Sequence, residues 1–97
     1  MTQYKRGANF ERAAKKKLEE LGFFVVRAAG SHGVADLIAF HPEPSSSLRP
    51  MLIQCKLTGK LGPKEKERLI SICKRYRLHG SMCYKEKQEI QFKDIML

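Results

Sequence analysis

The chain has 97 residues, enough for one small domain with a single core and too few for a site walled in on every side, so function belongs on a surface or an edge. Lysine and arginine total 19 against 10 aspartate and glutamate, a formal charge of +9 that points to a nucleic-acid partner, although basic ribosomal-type proteins share this balance. Nothing in the sequence supports a membrane: there is no amphipathic helix with Trp or Phe on its apolar face, no bilayer-length apolar run, and no apolar region after the charged residues 1–7. An intracellular, cytoplasmic protein is expected.

Residues 1–8 read as a basic, glycine-containing lead-in, with Asn9 suited to cap a helix. Apolar Phe10, Ala13, Ala14, Leu18 and Leu21 then recur at helical spacing, Lys15, Lys16, Lys17, Glu19 and Glu20 fill the gaps, and Gly22 supplies the stop. Glu11 falls in the first turn of this expected helix, where the dipole favours a carboxylate. The β-branched and aromatic run 23–27 predicts a strand, followed by a small-residue loop over 28–33. A second strand is expected over 35–40, a Pro- and Ser-rich loop over 41–50, and a third strand over 51–56.

A flexible basic connection, 57–62, leads to Pro63 in the first turn of a second helix, whose Leu69, Ile70, Cys73 and Tyr76 make an apolar stripe and which Gly80 ends. Strands at 81–85 and 90–93, joined by the polar turn 86–89, complete the chain. The order α-β-β-β-α-β-β predicts one α/β domain spanning 1–97, a mixed five-stranded sheet flanked by two helices. Cys55, Cys73 and Cys83 are odd in number and set among apolar neighbours, so they read as reduced core residues. The scattered His32, His41 and His79 suggest no metal site with them, and no small-molecule cofactor is expected. Ile72 and Phe92 suit either a core or a subunit interface.

The third strand carries the chemistry. Its period-2 geometry sends Met51, Ile53 and Cys55 to one face and Leu52, Gln54 and Lys56 to the other, so an amide oxygen and an ammonium share a side. With Asp36 on the neighbouring strand and Glu11 brought in by the first helix, these groups could hold a divalent cation and a phosphate together, as phosphodiester hydrolysis requires.

Four stretches together resemble the archaeal-type Holliday junction resolvases: 5–12, with Lys5, Arg6, Glu11 and Arg12; 22–31, with Arg27 and Ser31; 35–39, with Asp36; and Gln54-Cys55-Lys56. Those enzymes belong to the restriction-endonuclease-like superfamily, whose signature is an Asp followed by Glu/Asp/Gln-x-Lys. The resemblance covers nearly the whole chain and implies that fold. It further implies that Glu11, Asp36 and Gln54 surround Mg²⁺, which Mn²⁺ can replace, that Lys56 orients water or stabilises the charged phosphorane, and that Ser31 contacts the phosphate near the cut. Lys5, Arg6, Arg12, Arg27, His32, Lys60 and Lys64 are the implied DNA contacts. A homodimer cutting opposed strands of a four-way DNA junction, leaving 5′-phosphate and 3′-hydroxyl ends, is the implied assembly, in a compact archaeal or archaeal-viral form.

One departure stands out. Gln54 occupies the position of the usual glutamate, and an amide oxygen coordinates a hard cation without adding negative charge, which lowers Mg²⁺ affinity. Three other readings therefore stand beside the resolvase: a catalytically silent branched-DNA-binding module, a nickase or repair endonuclease of the same fold, and a basic RNA-associated protein.

Overall fold

The structure, a computed structural model, describes residues 3–28, 33–43 and 48–96. Helix α1 (Gln3–Glu20) is followed by strands β1 (Phe24–Arg27), β2 (Leu37–Phe40) and β3 (Met51–Cys55), helix α2 (Pro63–Tyr76), and strands β4 (His79–Glu86) and β5 (Glu89–Asp94). The element order is the one expected. Neighbouring strands pair in the order β1-β2-β3-β4-β5, antiparallel throughout except for β3 and β4, which run parallel and are joined by the α2 crossover.

Strand alternation splits the interior into two cores, one on each face of the sheet. On one face Phe10, Ala14 and Leu18 of α1 pack with Val25, Leu37, Ala39, Ile53 and Cys83. On the other, Leu69 and Cys73 of α2 pack with Leu52, Met82 and Ile95. The 10, 14, 18 spacing is one stripe along α1, and the Lys15–Glu19 ion pair at 3.0 Å lies outside it.

Helix α1 begins well before the expected cap. Gly7 and Asn9 each cost a helix interior about 1 kcal/mol or less, whereas continuing the helix through them adds backbone hydrogen bonds and buries Ala8. Residues 3–8 are therefore helical, Asn9 is an interior residue, and Glu11 sits mid-helix instead of in the first turn. The C-terminus matches expectation: Gly22 adopts φ +97°, its N–H reaches the Glu19 carbonyl, and the Phe23 N–H reaches that of Leu18. Ala13 and Leu21 lie outside the buried stripe and are exposed.

Helix α2 ends at Arg77, which takes the left-handed conformation (φ 55°) and sends its N–H to the Cys73 carbonyl, so the stop does not fall at Gly80. Gly80 is instead buried in β4. A side chain there would meet Met96 Sδ at 3.1 Å, Ile95 Cγ1 at 3.2 Å and Cys73 Sγ at 3.3 Å, so glycine lets α2 and the C-terminal segment close on the strand. Tyr76, expected in the apolar stripe, is exposed and carries the Arg75 guanidinium 5.5 Å above its ring. Phe92 packs against the α1-side core and Ile72 against the α2-side core.

Candidate active site

Strands β2 and β3 part at the end where β2 begins. Their ladder continues one step past β2, with the Asp36 N–H on the Ile53 carbonyl at 2.8 Å and the Ala28 N–H on the Asp36 carbonyl at 2.9 Å. There the Asp36 side chain takes over, its Oδ2 accepting the Cys55 N–H at 2.8 Å. The carboxylate thus fills the place of a backbone acceptor between two diverging strands, which fixes its position more firmly than a loop would. Asp36 lies just before β2, not within it, and Lys56 lies just past β3.

Beside Cys55, Gln54 follows the alternation set by Leu52 on the α2 side. Its Oε1 is buried and has no hydrogen-bond partner among the described residues. Leaving such an acceptor unsatisfied costs about 1–3 kcal/mol, so the position favours an electropositive ligand. Lys56 is anchored by its N–H to the Cys83 carbonyl at 2.8 Å, and its Nζ pairs with Glu65 Oε2 of α2 at 2.9 Å.

Glu11 reaches the same end of the sheet from α1. Its Oε1 accepts from Arg27 Nε at 2.9 Å, a pair with both side chains largely buried. Burial raises the Glu11 carboxyl above its ordinary range and the nearby Asp36 carboxylate pushes the same way, opposed by Arg27 and Arg12. Two carboxylates close enough to repel are a pair of hard oxygen donors of the kind that suits a divalent cation. Among the described residues no three His, Cys, Asp or Glu side chains converge to hold a metal.

The Cys55 thiol, facing Cys83 across β3 and β4, is pushed up first by that neighbour, then by burial and by Asp36 and Glu11, and so stays protonated. Arg6 and Arg12 are exposed on α1, Lys5 lies near its start, Lys60 is exposed in the loop before α2, and Lys64 is exposed on its first turn. Ser31 and His32 lie outside the described residues. Sequence reasoning missed the Glu11–Arg27 pair and Glu65. The one signal for Glu65 was an acid three residues after Gly62, where a helix start favours it.

The family model described as archaeal Holliday junction resolvase (Hjc) matches residues 2–96. The crossover junction endodeoxyribonuclease Hjc of Methanocaldococcus jannaschii is 38% identical over 73 residues, covering 71% of this chain and 50% of that protein, so the match spans about half the relative's length. The crystal structure of Hjc from Archaeoglobus fulgidus, a Holliday junction resolvase, superposes with a TM-score of 0.71 at 21% identity, covering 93% of this chain and 73% of that one. That likeness carries the fold, which is the restriction-endonuclease-like arrangement expected from the sequence. A family match over nearly every residue, with Asp36, Gln54 and Lys56 gathered at one end of the sheet, makes the chain a member of the archaeal Holliday junction resolvase (Hjc) family.

Proposed function

We propose that this protein is a Mg²⁺-dependent, structure-selective DNA endonuclease that resolves four-way junctions by paired phosphodiester hydrolysis. The observation that carries the reading is the buried, unpartnered Oε1 of Gln54, adjacent in sequence to the residue whose N–H fixes Asp36. Glu11, Asp36 and Gln54 would hold the metal, with Mn²⁺ able to replace Mg²⁺. When bound, the ion supplies positive charge against the scissile phosphate and acidifies water.

The chain's own groups do the rest. Asp36 keeps its orientation through the Cys55 N–H, and Arg27 holds Glu11 in place. Lys56, on the same side as Gln54, offsets charge growing on the phosphate oxygens and orients the attacking water. Ser31 contacts the phosphate near the cut, and Lys5, Arg6, Arg12, His32, Lys60 and Lys64 follow the DNA backbone, whereas Arg27, expected among them, is largely buried against Glu11. None of these is a base-reading device, so selection is by junction shape and phosphate position.

A two-fold junction calls for two sites, and we assign them to a homodimer. In support, the half of the sheet opposite α1 at the β1 edge is bare, with Phe24 68%, Val26 43% and Phe40 40% exposed. The rings of Phe24 and Phe40 lie 6.0 Å apart on paired strands, and such a contiguous apolar patch favours a protein partner.

Cleavage of a labelled four-way junction, with and without Mg²⁺, tests the reading on the unmodified chain, Asp36→Ala and Gln54→Glu. Paired, metal-dependent cuts near the branch point that vanish in Asp36→Ala are expected. The amide at Gln54 favours one rival, a module that binds branched DNA without cutting it. Tight junction binding with cleavage appearing only in Gln54→Glu would establish that rival. Neither cutting nor junction preference would sink both readings.

A further inference from the structure

The loop after β3 contains a glycine that its backbone does not require. Gly62, the N-cap of α2, has φ −61° and ψ 149°, an ordinary extended conformation open to any residue. The space where its side chain would be is occupied: a Cβ there would lie 3.1 Å from Glu65 Oε1, and that oxygen accepts the Gly62 N–H at 3.3 Å. The other oxygen, Oε2, holds Lys56 Nζ at 2.9 Å. One carboxylate thus closes the start of a helix and docks the end of a flexible lysine.

Exposed ion pairs contribute little to stability, and both partners here are partly exposed. Orientation is where the contact counts. The Lys56 backbone is pinned by its N–H on the Cys83 carbonyl, but four rotatable bonds separate that anchor from the ammonium. Glu65, rooted in α2, removes most of that freedom and holds the ammonium on the α2 side, the face on which Gln54 lies. The lysine in turn favours the ionised form of Glu65, whose carboxyl is held below its ordinary range first by this contact.

We infer that Glu65 is a positioning residue, which with the space left by Gly62 sets the Lys56 ammonium in place for the scissile phosphate. The inference rests on the role proposed for Lys56. Its test is single-turnover cleavage of the four-way junction, with junction affinity measured separately by titration in Ca²⁺. Glu65→Gln is expected to slow cleavage about tenfold while the junction Kd stays within about twofold, because positioning acts on the reacting geometry and not on binding. Gly62→Ala, which leaves every charge in place and only shifts the carboxylate, is expected to slow cleavage to a smaller extent, again at unchanged Kd.

Wild-type rates in Glu65→Gln would overturn the inference while leaving the nuclease reading intact, and a faster variant would mean that Glu65 withholds Lys56 instead of placing it. Equal losses in rate and affinity would also overturn it, by making Glu65 a binding residue. If the unmodified chain cuts no junction, the nuclease reading itself fails, and the inference with it.

Discussion

Glu11 is held between opposing demands: burial and Asp36 favour its neutral form, Arg27 and Arg12 the ionised one, and the net effect raises its carboxyl above the ordinary range. A carboxyl raised on folding keeps its proton over a pH window in which the unfolded chain has lost it, so this group opposes folding increasingly as pH rises through that window. Glu11→Gln keeps an acceptor for Arg27 and removes the charge. Its stability relative to the unmodified chain, from urea unfolding in EDTA, should therefore become more favourable as pH rises from about 4 to about 8. Gln54→Glu works in the other direction. A third carboxylate in the proposed donor set should lower the Mg²⁺ concentration needed for cleavage about tenfold or more, and the buried charge should lower the melting temperature in EDTA, where it has no counterion. Gln54 and Lys56 could be placed on one face from sequence because strand alternation is a local rule. The Glu11–Arg27 and Lys56–Glu65 pairs could not, since each depends on where a helix comes to rest against the sheet.

At the level of elements, the sequence marked every helix and strand but misplaced the start of α1 and the end of α2, each for a tertiary reason. Asn9 has the chemistry of a cap, yet the burial of Ala8 carries the helix past it. Gly80 has the chemistry of a helix stop, yet Arg77 ends α2 and the glycine serves the packing of β4. Gly80→Ala should accordingly cost about 1–3 kcal/mol by overpacking, read as a lower urea midpoint at unchanged slope. The β4–β5 hairpin turns through Lys87 (φ 50°) and Gln88 (φ 65°), two residues with no intrinsic preference for positive φ. Replacing them by Asn and Gly should stabilise the protein by about 0.5–1 kcal/mol in the same assay, because both suit the turn that joins twisted strands.

For the whole molecule, the +9 charge suits the proposed nucleic-acid partner and the bare apolar sheet face suits the proposed second copy. Junction affinity should fall steeply and linearly on a log–log plot against salt, the mark of counterion release. Phe24→Lys combined with Phe40→Ser should yield a monomer in sedimentation while leaving α1 and its core, on the other face, intact. The charge was evident from composition, whereas the bare face was not: Phe24 and Phe40 read as ordinary strand residues until α2 is seen packing chiefly on β4.

The strand order of the sheet carries a consequence for synthesis. Because β1 to β5 lie side by side in the order in which they are translated, each strand leaving the ribosome meets an edge already made, and only the α2 crossover interrupts the sequence. Glu11, Arg27, Asp36, Gln54 and Lys56 all emerge before that crossover. The residues of the proposed site are thus made first, and the second half of the chain, with Glu65 near its start, closes the opposite core behind them.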